Sequence, residues 1–303
     1  SEDQGITEEE LITMVSEAEN EGGLDQHESQ LIRSAIEFGD LEAGDILTPR
    51  VDIVAVEDSA SMEEIAAAAG QRVTVYETFR GGEHLHVRTV LRPEKDAVIR
   101  LVQVQAMDGG AVLRSEVSAR CPEGSAVELY RLLPGRGDTY ADDRLTLADG
   151  ASLKAAMGYL GRDAQVIDLN LAVDHVGRDT RSDIDVSGSL ADSAKKVFRG
   201  TIDFKHGSAG STGSEQETVL LLGDDVVNKT VPLILCAEEN VEGTHGATIG
   251  ALDEDTLFYF ESRGFDRAAA ESLMARAAVE RLAHDLGDEA TAETVLHELN
   301  GGV

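Results

Sequence analysis

The sequence predicts a mainly β protein: a stack of coiled strands, closed by three carboxy-terminal helices and preceded by a short α/β segment. Three observations predict it. Between about residues 71 and 250, glycines recur roughly every 10 to 16 residues, at Gly109-Gly110, Gly124, Gly135, Gly150, Gly161, Gly177, Gly188, Gly200, Gly210 and Gly223, the punctuation of short strands joined by turns. The runs between them alternate. Ile167, Leu169, Leu171 and Val173 share one face while Asp168 and Asn170 take the other, and Ile184 and Val186 alternate with Asp183 and Asp185, as a strand with one buried face requires. Beyond residue 250 the apolar period becomes helical. Sandwich, barrel and β-helix all produce this alternation; the scarcity of Asn-Gly hairpin signals favours a stacked coil.

In chain order, Thr7 and Glu10 form a capping box ahead of Leu11, Ile12, Val15 and Ala18, predicting a first helix. Asp25 and Glu28 repeat the pattern before Leu31, Ile32, Ala35 and Ile36, with Gly39 as the stop. Val51, Ile53, Val54 and Val56 predict a strand, and Ser61 with Glu64 caps a third helix running through the alanines to Gly70. The β body follows over residues 71–250. Asp253 then precedes Leu257, Phe258 and Phe260; Asp266 precedes Ala270, Leu273, Met274 and Ala277; Asp288 precedes Ala292, Val295, Leu296 and Leu299. Each aspartate reads as the cap of a helix with one apolar stripe. The expected division is therefore 1–70, 71–250 and 251–303.

Composition excludes several functions. The 303 residues carry 26 Lys+Arg against 58 Asp+Glu, a formal charge of −32. DNA, RNA and anionic membranes need a basic footprint, so neither a nucleic acid nor a membrane surface is expected as partner. Cys121 and Cys236 are too far apart in sequence for a CxxC knuckle and too few for a disulfide framework. With no apolar run of about 18 residues and no signal sequence, the expectation is a cytoplasmic protein. No GxxxxGK[ST] phosphate cradle occurs, so ATP hydrolysis would have to come from another chain.

Four ordered motifs carry a resemblance: VFRGTIDF (Val197 to Phe204), EQETVLLLGDDVVNKTVPLIL (Glu215 to Leu235), THGATIGALDED (Thr244 to Asp255) and LFYFESRGF (Leu257 to Phe265). With VTVYETFRGG (Val73 to Gly82) and DLNLAVDHVGRDTRSDIDVSG (Asp168 to Gly188) upstream, the chain resembles the SufB/SufD family of iron–sulfur cluster assembly proteins over residues 71–300. The HGAT form is similar to the SufD branch. The resemblance implies a right-handed parallel β-helix with a helical carboxy-terminal domain. It implies a non-catalytic scaffold that pairs with a SufB-type subunit, or with itself, and docks the ABC-type ATPase SufC. No cofactor is expected to be held tightly by the isolated chain; an iron–sulfur cluster would form transiently at the junction between subunits. The stretch Thr7 to Val56 resembles instead the start of the cytosolic CBS region of CorC/HlyC-type ion-transport proteins. That supplies an alternative function, a nucleotide- or ion-sensing module fused to a β-solenoid. A third reading, a carboxylate-based polysaccharide enzyme, is disfavoured by the scarcity of aromatics for sugar stacking.

Iron–sulfur assembly draws on thiolates, with imidazole or carboxylate at labile positions. By the resemblance, His245 of HGAT matches the histidine the family uses at the subunit interface, and is the candidate metal-facing residue. Taken alone, a single histidine reads as structural. Cys236, ending the run Val231 to Leu235, is a second candidate for the interface site; in so apolar a strand it also reads as a small buried hydrophobe. The reactive cysteine of the SufB branch is replaced here by Glu217, so a SufB-type partner is implied. Asp224-Asp225 reads as a turn and Asp253-Glu254-Asp255 as a helix start rather than as metal ligands. His84 and His86 share a strand face but have no third ligand nearby. Leu257, Phe258, Tyr259 and Phe260 are the candidate docking residues for SufC, or the anchor that fixes their helix to the β stack.

Overall fold

The computed structural model describes residues 63–300. Among them are fourteen strands: β1 (Glu63–Ala67), β2 (Arg72–Gly81), β3 (His84–Pro93), β4 (Val98–Met107), β5 (Val112–Cys121), β6 (Ala126–Leu133), β7 (Asp138–Leu147), β8 (Ser152–Gly161), β9 (Val166–His175), β10 (Arg181–Ala191), β11 (Lys195–Phe204), β12 (Thr212–Leu222), β13 (Val227–Cys236) and β14 (Glu242–Gly250). They form two seven-stranded parallel sheets, odd strands in one and even strands in the other. Each strand pairs with the strand two positions on, for example Arg181 with Thr212 and Thr212 with Glu242. Two strands per coil, stacked in parallel, make the expected β-solenoid; sandwich and barrel are excluded because no antiparallel pair and no closure between the sheets occurs among the described residues.

Alternation builds the interior. In β9, Ile167, Leu169, Leu171 and Val173 are buried while the residues between them are partly exposed. They join Leu101, Leu129, Leu153, Ile184, Phe198 and Ile202 in one apolar column between the sheets. Where the chain turns, glycines and aspartates adopt positive φ. Six of these stack as Gly70, Asp96, Gly124, Gly150, Asp179 and Gly210, each N–H donating to a carbonyl of the next coil, as Gly124 does to Asp149 at 2.9 Å. Gly124 is required twice over, since its φ is +68° and a Cβ there would overlap the Asp96 carboxylate.

Three helices follow: α1 (Glu254–Glu261), α2 (Arg267–Asp285) and α3 (Glu289–Leu299). Their N-caps are the expected aspartates, with Asp253 accepting from Thr256 N–H, Asp266 from Ala269 N–H and Asp288 from Thr291 N–H. α2 and α3 cover the outer face of the even sheet: Ala275, Val279, Ala283, Val295 and Leu299 pack on Val102, Val104, Tyr130, Leu132 and Leu160. That is why β4 and β8 are buried on both faces and read as near-continuous apolar runs.

One element departs from expectation. The helix predicted from Ser61 to Gly70 is not formed over its described residues; Glu63–Ala67 is a strand, paired in parallel with β3 from Glu63–Thr89 to Ala67–Pro93. The alanines carry helix propensity worth only tenths of a kcal/mol each, less than the ladder and the burial of Ala67 in the interior column provide together. The two helices expected within residues 7–39, the strand over 51–56 and the CBS-like stretch lie outside the described residues.

Candidate functional site

The last coil is where the interior opens. β13 and β14 are the terminal strands of their sheets among the described residues, so one edge of each is unpaired, and the side chains aimed inward have no further coil above them. On β13 these are Asn228, Thr230, Pro232, Ile234 and Cys236, aligned with inward Lys196, Phe198, Gly200, Ile202 and Phe204 of β11. On β14 they are Gly243, His245, Ala247 and Ile249, aligned with Gly213, Glu215, Glu217 and Val219 of β12. His245 and Cys236 thus both face the open end, from opposite sheets. Cys236 is exposed, contrary to the reading of a buried hydrophobe: its position is inward, but nothing stacks on it. The thiol that is buried is Cys121, pushed up to about 12 by desolvation, which leaves it inert.

Beneath His245 lies a set of charged groups of which sequence reasoning picked out Glu217 and missed Glu215 and Lys196. Glu215 is its direct cross-strand partner, with a carboxylate only 2% exposed against 27% for the imidazole, and Oε1 lies 3.3 Å from His245 Nδ1. The pair is close but not aligned for a hydrogen bond, and Glu215 Oε1 has no hydrogen-bond partner among the described residues. Room for this carboxylate comes from the facing sheet: a Cβ on Gly200 would overlap Glu215. Desolvation, reinforced by the charge of Glu217 and offset by Lys196, raises Glu215 to about 7.

Two residues along β12, Glu217 is fully buried and bound to the Lys196 ammonium, while Thr230 Oγ1 donates to its other oxygen at 2.6 Å. Lys196 Nζ also donates to Thr230 at 3.1 Å and lies 6.0 Å from the Tyr159 ring and 5.8 Å from that of Phe198. Burial holds Lys196 below its usual value and Tyr159 well above its own. Midway along the solenoid, on β6 and β7, Arg131 and Asp143 are as deeply buried, yet Arg131 is completed by Gln103 and Ser115. The sequence did carry a signal for these residues, since Lys196, Glu215 and Glu217 occupy inward parity beside Phe198, Gly213 and Val219. A charge at an inward position calls for explanation.

The remaining candidates separate. His86 Nε2 lies 2.8 Å from Glu116, and both His84 and His86 are exposed; no group of three His, Cys, Asp or Glu able to hold a metal occurs among the described residues. Asp224 and Asp225 form a turn, as expected. On α1 only Leu257 is buried; Phe258 is 70% and Tyr259 53% exposed. Those two rings therefore do not anchor the helix, whereas Phe260 packs edge-on against Tyr259 and Phe265. No helix of the described residues is long and apolar enough to cross a membrane.

Comparison with known proteins agrees with this architecture. Residues 55–278 match the family model described as SUF system FeS cluster assembly, SufBD core domain. The chain is 28% identical to the iron–sulfur cluster assembly protein SufD of Bacillus subtilis over 151 residues, 50% of this chain and 35% of that protein. It is 29% identical to SufD of Escherichia coli over 107 residues, 35% of this chain and 25% of that one. A SufBD family protein of Mycobacterium bovis is 30% identical over 192 residues, 60% of this chain and 41% of the relative. The chain spans less than half the length of these relatives.

Proposed function

The chain belongs to the SufB/SufD family of iron–sulfur cluster assembly proteins, and from that premise we propose that it is a SufD-like scaffold subunit. It pairs with a SufB-type subunit through the open end of its solenoid, docks a SufC-type ATPase through α1 to α3, and presents His245 to a cluster built transiently at the junction. The scaffold itself catalyses no turnover. The observation that carries this reading is the position of His245: a partly exposed imidazole on the terminal strand, facing out of an interior that no further coil among the described residues closes. Two supporting features point the same way. The unpaired edges of β13 and β14 carry Val231, Leu233, Leu235 and Ile249 exposed, apolar groups beside unsatisfied backbone that natural edges normally protect. Phe258 and Tyr259 stand exposed on α1, where a helix-in-groove partner would engage them.

The test is co-expression with SufB-type and SufC-type proteins, followed by iron and sulfide determination on the purified complex. His245→Ala is expected to leave the complex intact and lower its iron severalfold. Phe258→Asp is expected to release the ATPase while the SufB-type subunit stays bound. Unchanged iron with His245→Ala would remove the site assignment.

A further inference from the structure

We propose that Glu215 and His245 together form half of a divalent transition-metal site, with the carboxylate Oε1 and the imidazole Nδ1 as the two ligands from this chain and the rest supplied by solvent or by the partner subunit. The inference rests on the reading of His245 as a junction residue and adds a second ligand, the metal class and the geometry. Nitrogen and oxygen ligands at about 2.0–2.2 Å from a tetrahedral metal ion stand about 3.4 Å apart. The Nδ1–Oε1 separation is 3.3 Å. An ordinary imidazolium–carboxylate hydrogen bond would be shorter and aligned; this contact is neither, and Oε1 is left without a partner in a buried place, where such an atom is costly.

The surroundings hold the carboxylate in this pose. Gly200 on the facing sheet makes the space that Glu215 fills, and the backbone pairing of Glu215 with His245 across β12 and β14 fixes the two side chains on one column. Imidazole with carboxylate suits first-row divalent ions of intermediate softness, ferrous iron among them. In the proposed reaction that ion is cargo, and the site is its landing point before sulfur ligands replace the carboxylate. With no third protein ligand among the described residues, the isolated chain should bind weakly and exchange readily, which a delivery site needs.

The full chain, free of metal, is titrated anaerobically with Co²⁺ alone and read by visible absorption, then with Fe²⁺ in competition. Expected is one Co²⁺ per chain with the intense bands of a low-coordinate ion, displaced by Fe²⁺. Glu215→Gln, which keeps the shape but offers no anionic oxygen, should weaken binding at least about tenfold. His245→Ala should weaken it as much, and the double variant should lose little more than either single one. Circular dichroism of each variant checks that the fold is kept, and Glu215→Asp, which draws the oxygen back by one carbon, should give an intermediate loss. Equal affinity of Glu215→Gln and the natural chain would overturn the inference while leaving His245 in place, as would absence of any bound Co²⁺. If Co²⁺ binding requires both residues but iron in the co-expressed complex ignores His245, the metal half-site stands and the junction reading fails.

Discussion

His175 offers the sharpest test of the interior. It ends β9 with its ring fully buried, Nδ1 2.6 Å from Thr180 Oγ1, Nε2 2.9 Å from Ser182 Oγ, and its centroid 4.6 Å from that of Phe204. Desolvation lowers it to about 4, with only partial relief from Asp174 and Asp203, carboxylates that Lys205 already engages. In the unfolded chain the same histidine titrates near 6.5. Between those values the unfolded state binds more protons, so stability rises with pH across the window and is lost as pH falls from about 6.5 to about 4. The gap corresponds to about 3 kcal/mol at the acid limit. Carboxylates titrate over the same range, so the natural chain alone is uninformative; His175→Gln, which cannot take up a proton, supplies the reference. Guanidinium unfolding of both, followed by far-UV circular dichroism because the chain has no tryptophan, should show their stability difference moving by up to about 3 kcal/mol in favour of the variant between neutral pH and pH ~4. A difference that stays flat over that range would refute the claim that this ring is held neutral by burial.

Three further outcomes follow from named contacts. Lys196→Met leaves Glu217 charged and buried and should cost about 3–5 kcal/mol in chemical denaturation, while Lys196→Met with Glu217→Leu should recover most of it. In the native chain a thiol reagent should modify Cys236 alone and reach Cys121 only after unfolding; native labelling of Cys121 would contradict its burial. Val279→Asp places a charge in the seam between α2 and the even sheet, so limited proteolysis should release the helices while the solenoid persists.

Much of the architecture was readable because β-strand parity is local. Ile167 to Val173 declare their inward face without knowledge of any neighbour, and Asp253, Asp266 and Asp288 cap their helices by contacts three residues away. The misread element shows the limit: Ser61, Glu64 and the alanines satisfy every local rule for a helix, and only pairing with β3, more than twenty residues downstream, makes Glu63–Ala67 a strand. Turns were under-counted for a related reason. Glycine marks positive φ openly, but Asp96, Asp163, Asp179 and Asp192 adopt it as well, and aspartate is common enough on this acidic surface to hide the signal. The site divided the same way. His245 was found through a motif; Glu215 was not, because its role depends on coil register, which sets it beside a residue thirty positions on and opposite the glycine that gives it space.

The order of side chains along the solenoid axis explains why chemistry gathers at one end. Through β8 to β10 the column between the sheets is filled by Leu153, Ile167, Leu169, Leu171 and Ile184, and closing the stack there with more of the same would make a stable, inert prism. The next coil instead inserts Lys196, Glu215 and Glu217, and the last presents Thr230, Pro232, Cys236, Gly243, His245 and Ala247. Burying Glu217 with Lys196 brings no net gain over an apolar pair of equal volume, and leaving Oε1 of Glu215 unpartnered costs more still. Stability does not account for that sequence of residues. A polar interior that becomes smaller and more exposed toward its mouth is what the proposed site, completed by a second surface, requires: the Lys196–Glu217 pair, with Thr230, ties β11, β12 and β13 together beside Glu215 and His245, whose facing atoms stand 3.3 Å apart.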